Sequence, residues 1–198
     1  MIGYIKGKVI AQFNQEVIIE NNGIGFSVTC SAESFKDLMA SGQGEVYTYM
    51  AVREDDISLY GFKSLEEKNM FLKLITVSGI GPKMGMQILS TLSLTDLAIK
   101  IATSDIKGLS QVKGLGKKKA ELIIVELREK MNEQIQAEET VKNKEVVDIS
   151  NKDCQDAMLA LTSLGFTKQE IVGVLTKAKE QGIEGVQALI TFSLKNIK

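Results

Sequence analysis

The chain has 198 residues, with 24 Lys and Arg against 25 Asp and Glu, for a formal net charge of −1. Hydrophobic residues make up 44% and charged residues 25%, a globular balance whose length suits one or two domains plus something smaller. There is no His and there are only two Cys, Cys30 and Cys154, which excludes His-based acid–base and nucleophile systems, His-containing zinc sites, CxxC metal knuckles and a disulfide framework.

The opening residues Met1-Ile2-Gly3-Tyr4-Ile5-Lys6 lack the apolar run of a signal peptide, and no stretch reaches the ~18 apolar residues of a membrane span. Two unpaired thiols suit a reducing compartment, so a cytoplasmic protein with no membrane partner is expected. Short β-branched or aromatic runs follow at 4–10, 16–20, 24–28, 46–52 and 57–62. Asn21-Asn22-Gly23 is a hairpin turn signal between two of them. Five or six short strands in this space predict a small closed barrel of OB-like form over residues 1–63.

The pattern changes at Ser64-Leu65-Glu66-Glu67, where a hydroxyl at the N-cap and a carboxylate three residues on predict a capping box. Met70, Phe71, Leu74 and Ile75 then recur at helical spacing, and further helices are predicted at about 82–91, 94–103 and 116–131. A helical domain over 64–132 follows. Residues 133–150 are polar without a strong period and read as a flexible linker. Residues 151–198 return to helical spacing through Met158, Leu159, Leu161, Leu164, Ile171, Val172 and Leu175, and glycines divide them into three short helices. The predicted class is therefore multidomain α+β: an OB-like barrel, a central helical domain and a small C-terminal three-helix domain.

Charge is unevenly spread. Residues 1–62 carry 4 basic and 8 acidic side chains, residues 63–131 carry 12 and 7, and residues 132–198 carry 8 and 10. A near-neutral total thus hides a basic middle between acidic ends.

That basic middle contains a repeat. Val77-Ser78-Gly79-Ile80-Gly81-Pro82-Lys83 matches Val112-Lys113-Gly114-Leu115-Gly116-Lys117-Lys118 at an offset of 35 residues. Each copy places a Gly-apolar-Gly turn between two helices. The glycines permit positive φ and close backbone approach, and the second helix begins at the turn with its unpaired N–H groups outward. The result is an anion site made largely of backbone, flanked by lysine, which suits phosphate and cannot read base identity. The spacing fits neither a Walker A loop nor a dinucleotide fingerprint. A lone copy would equally suit an ordinary αα-hairpin with glycine caps; two copies in register favour the helix-hairpin-helix pattern of sequence-independent DNA binding.

With these hairpins in place, the chain resembles the RuvA family along its whole length. The resemblance is carried by Met1-Ile2-Gly3 opening a barrel, Val52-Arg53-Glu54-Asp55 followed by Leu59-Tyr60-Gly61-Phe62, the tandem hairpins and the small helical tail. It implies binding of four-way (Holliday) junction DNA by a homotetramer, possibly paired into an octamer, with Gly79, Gly81, Lys83, Gly114, Gly116, Lys117 and Lys118 as DNA contacts. It implies an acidic pin at Glu54 and Asp55 that holds the crossover open. It implies that Leu161, Leu164, Phe166 and Leu194 contact RuvB, a hexameric AAA+ ATPase, and that a junction-resolving endonuclease is a further partner. No catalytic residue, metal or cofactor of its own is expected; the energy for branch migration would come from the ATPase. Taken by themselves, the same residues also fit different roles. The acidic turn alone suits a solvated surface turn or a magnesium-dependent nuclease, the four apolar residues suit a core, and the hairpins suit a general duplex-binding accessory.

Overall fold

The computed structural model describes residues 1–139 and 151–197. These fall into two units, one of Met1–Thr76 with Ile80–Ser93 and one of Val77–Gly79 with Leu94 onward. The division runs inside the 64–132 segment, through the first hairpin.

In the first unit, β1 (Tyr4–Phe13), β2 (Glu16–Asn21), β3 (Ile24–Cys30), β4 (Gln43–Val52) and β5 (Ile57–Phe62) close into a barrel in the order β1-β2-β3-β5-β4. The β3–β5 pair is parallel and the other pairs are antiparallel. Alternate residues point inward, so Ile5 faces Val46 and Val17 faces Val28 across the ladders. Ile5, Val17, Ile19, Val28, Cys30 and Val46 form the barrel core. The Asn-Gly turn forms as expected: Asn22 (φ 49°) and Gly23 (φ 85°) are both left-handed, as a tight two-residue hairpin requires.

One helix of this unit is absent from the sequence expectation. Helix α1 (Ala32–Ser41) runs between β3 and β4, with Ser31 as N-cap and a left-handed Gly42 closing its C-terminus. Its signals are the two caps and the helical spacing of Phe35, Leu38 and Met39 between them. Helix α2 (Leu65–Ile75) starts at Ser64, whose hydroxyl accepts from the Glu67 N–H at 3.2 Å. The expected capping box is not formed, because the Glu67 carboxylate accepts the N–H of Lys63 at 2.8 Å instead of returning to Ser64. The reason is burial. Glu67 is 5% exposed and also accepts from the buried hydroxyls of Ser31 and Ser34, which join the start of α1 to the start of α2. Phe71 of α2 then stacks on Phe62 (4.7 Å), Tyr49 (5.4 Å) and Tyr60 (5.8 Å) of the barrel. Helix α3 (Pro82–Thr91) brings Gly85 against the Phe71 ring, where an added Cβ would lie 3.1 Å from it.

The second unit contains α4 (Leu94–Ala102), α5 (Ile106–Ser110), α6 (Lys117–Glu139), α7 (Lys152–Ser163), α8 (Lys168–Glu180) and α9 (Val186–Asn196). The predicted three C-terminal helices are present. Helix α6 continues through Glu139, so the linker expected from 133 begins with helical backbone; its remainder, 140–150, lies outside the described residues. Helix α7 is buried nearly all round, from Asp156 to Leu164. It packs on α8 and α9 on one side and on α4 and α6 on the other. The C-terminal helices therefore pack against central ones here, where the sequence suggested a tethered separate body. Asp156, 7% exposed, faces the Arg128 guanidinium of α6 at 3.4 Å, and Arg128 also donates to the Ile101 carbonyl and the Ser104 hydroxyl at the end of α4.

Candidate nucleic-acid interface

The two hairpin turns repeat in structure as they do in sequence. The first lies between α2 and α3 and the second between α5 and α6. In each, the leading glycine is left-handed, Gly79 at φ 78° and Gly114 at φ 83°. A side chain at either position would strain the backbone. The apolar residues flanking each glycine are anchors: Val77 and Ile80 are 2% and 3% exposed, and Val112 and Leu115 are each 1% exposed. Burying these pairs pushes the glycines outward, so Gly79, Gly81, Gly114 and Gly116 are all exposed.

Each turn leads straight into a helix N-terminus without a side-chain cap. Gly81 caps α3 and offers no side chain, no acidic residue lies in the first turn, and Pro82 occupies the first position. The first helical bonds are Gly85 N–H to the Gly81 carbonyl (2.9 Å) and, in the second copy, Ala120 N–H to the Gly116 carbonyl (3.1 Å). The N–H groups before these point out of the helix end, where the dipole is positive. An added Cβ at Gly81 or Gly116 would meet nothing within 4 Å, so a ligand backbone has an open approach. Lys83, Lys117 and Lys118 are exposed beside these ends. Lys117 makes a loose i,i+4 pair with Glu121 at 3.9 Å, both well exposed, which competes weakly with a phosphate. The short helix α5 is held by Asp105, whose carboxylate accepts from Gly108 N–H (2.8 Å) and Lys100 (3.1 Å); the bond from Gly108 first, then that from Lys100, keeps it below the usual carboxylate range.

The acidic turn is a separate feature of the barrel. Arg53, Glu54, Asp55 and Asp56 link β4 to β5, closed by an Arg53 N–H to Asp56 carbonyl bond of 2.8 Å. Asp56 accepts from the Ser58 hydroxyl at 2.5 Å, while Glu54 and Asp55 are exposed at the tip. Among the described residues, no group of three carboxylate, thiolate or imidazole side chains is arranged to hold a metal ion.

The four apolar residues expected to meet the motor divide. Leu161 and Leu164 are interior, at 0% and 4% exposure, whereas Phe166 and Leu194 are half-buried. A docking role for the first two would require the packing around α7 to change. Two contacts have no linear signal at all: the Arg128–Asp156 pair, and Glu126 of α6, whose carboxylate accepts the Ser78 N–H at 3.4 Å.

Comparison with known proteins agrees with this geometry. Residues 1–61 match the model of the RuvA N-terminal domain, 71–129 that of the SAM-like helix-hairpin-helix tandem, and 153–198 that of the RuvA C-terminal domain. Similar proteins include the Holliday junction branch migration complex subunits RuvA of Acetivibrio thermocellus (36% identical, covering 100% of this chain and 98% of the relative) and Alkaliphilus oremlandii (37%, 98% of each). That of Chromobacterium violaceum is 46% identical over a shorter stretch, 66% of this chain and 67% of the relative. With relatives matched along the full length and all three segments in order, the chain belongs to the RuvA family.

Proposed function

We propose that this protein binds four-way (Holliday) DNA junctions by structure and not by sequence, as the DNA-recognition subunit of a branch-migration complex in recombination and repair. One observation carries this most directly: two uncapped helix ends, each behind a left-handed glycine and beside exposed lysine, occur in a chain that also exposes Glu54 and Asp55 on a barrel hairpin. Backbone N–H groups and lysine bind phosphate whatever the base. Carboxylates repel phosphate, and gathered at the centre of a homotetramer, possibly paired into an octamer, they disfavour a continuous duplex and keep a crossover open. The subunit does no chemistry itself. It recruits the hexameric AAA+ ATPase RuvB through its C-terminal helices, with half-buried Phe166 and Leu194 as the accessible contacts, while Leu161 and Leu164 are interior. A junction-resolving endonuclease is a further partner. The two cysteines, both buried and unpaired, suit the reducing cytoplasm.

A gel shift in EDTA comparing a four-way junction with linear duplex, alongside native mass, tests this. Tight junction binding by a tetramer or octamer is the expected result. Equal binding to both DNAs would favour a general duplex-binding accessory, and magnesium-dependent cleavage of the junction would favour a nuclease built on the acidic turn.

A further inference from the structure

The two hairpins are unequally equipped with cations. Aligned on their glycines, Pro82 stands where the second copy has Lys117, and Met84 stands where it has Lys119, so the first copy has a single lysine in its helical first turn against three. Pro82 also removes a backbone donor. The structure shows where one of the surplus lysines goes. Lys117 and Lys118 are exposed, but Lys119 is half-buried. Its stem lies over the turn of the first hairpin: a Cβ built on Gly79 would sit 4.0 Å from Lys119 Cε. Seven residues further along α6, two turns and therefore on the same face, Glu126 accepts the Ser78 N–H at 3.4 Å. One face of α6 thus supports the segment Val77–Gly79 at both ends, with the ammonium on the glycine side and the carboxylate on the serine side. Among the described residues Lys119 has no ion-pair or hydrogen-bond partner, in contrast to Lys117 with Glu121.

We infer that Lys119 is a phosphate-binding residue of the first hairpin turn, supplied from the helix that begins the second. This rests on the DNA-binding function proposed above and adds the residue that completes its weaker half. Long cationic side chains lay their stems along apolar surface and keep the charged head in water, and half-buried Lys119, with its Cε beside Gly79, is placed to do so. A phosphate approaching the Cβ-free face of Gly79 meets that charge. Glu126, by taking the Ser78 N–H, fixes the turn and directs the anion to the glycine side.

The test uses the full-length protein, a four-way junction and a salt titration. Lys119→Met keeps most of the stem and removes the charge; it is expected to flatten the slope of log affinity against log salt by about one unit, and Lys119→Arg to restore it. Double-mutant cycles then locate the charge. Lys119→Met combined with Gly79→Ala is expected to be non-additive in affinity, and combined with Gly114→Ala additive. An unchanged slope in Lys119→Met, or coupling to Gly114 in place of Gly79, overturns the assignment. A wild-type protein that fails to bind the junction in a salt-dependent way overturns the underlying function, and that result is read before any variant is made.

Discussion

The barrel unit and the helical unit each expose a turn, and the two turns have opposite sign. The tip of the β4–β5 hairpin presents Glu54 and Asp55, while the α5–α6 turn presents Gly114, Gly116, Lys117 and Lys118. Their supports differ as well. The acidic tip is held by its own ladder, Val52 opposite Ile57, so its carboxylates are positioned by a stiff hairpin. The lysine turn is held by buried anchors, Val112 and Leu115, and what it exposes beside its lysines is largely glycine backbone. Under the proposed function, attraction would come from geometry that many side chains could surround, and repulsion from two side chains alone. The units also bury a carboxylate differently. Asp156 has an arginine beside it, whereas Glu67 takes its hydrogen bonds from a backbone N–H and two hydroxyls.

These contrasts can be broken one at a time. The largest effect is expected from Gly114→Val. A β-branched residue at φ 83° costs about 1–2 kcal/mol of strain and blocks the approach to the backbone donors. Junction affinity should fall roughly tenfold, because a lost hydrogen bond to a charged phosphate is worth about 1.5–3 kcal/mol and each 1.4 kcal/mol is a factor of about ten. Fluorescence anisotropy measures it, with circular dichroism confirming the fold. Glu54→Gln with Asp55→Asn should act in the opposite sense: duplex binding rises and the junction-to-duplex ratio falls by roughly tenfold, because like-charge contacts discriminate by a few kcal/mol. A competition assay with unaltered selectivity would remove the pin from the mechanism.

Smaller changes sharpen the same comparison. Arg128→Met leaves Asp156 buried without its cation and should lower unfolding stability by about 1–3 kcal/mol, a figure reduced from that of a fully buried pair because the arginine is 29% exposed. Lys118→Ala should weaken binding to all sequences alike and reduce the salt slope by about one. Glu67→Gln should have the smallest effect, and one that depends on pH. Burial first of all pushes the Glu67 carboxyl above its ordinary value, opposed by the bonds from Ser31, Lys63 and Ser34. Its contribution is therefore fully present below the unfolded pKa and is lost as pH rises through the folded one. Relative to wild type, the glutamine variant should gain stability as pH is raised from about 4 towards neutrality, with the unfolded value near 4.3 as the lower bound of that window. Thermal melts at successive pH values would show it, and a gap that stayed constant would mean that Glu67 ionises as freely in the fold as in the unfolded chain.

Much of the fold is legible in the sequence because its signals are local. The strands of the barrel, the Asn22-Gly23 turn, the helix starting at Ser64 and the repeated glycine turns each depend on a few neighbouring residues whose preferred dihedrals and pairing are set by their own chemistry. Helix α1 is legible too, in Ser31, the spacing of Phe35, Leu38 and Met39, and Gly42, whereas α5 escapes such a reading because five residues carry too little of a period. The capping box fails because the same carboxylate has two possible partners, and burial beside Ser31 and Ser34 decides between them.

By itself the sequence determined that the chain has two left-handed glycine turns beside lysine, an acidic turn between two strands and no histidine chemistry, since backbone sterics and side-chain charge act within a few residues. Which groups are covered, and what each long side chain reaches, follows from packing between distant segments. Leu161 and Leu164 are interior because α7 has helices on both sides, Asp156 is buried because Arg128 meets it from another helix, and Lys119 lies on Gly79, forty residues away in the chain. Burial and long-range pairing depend on what packs opposite, and no run of neighbouring residues carries that information.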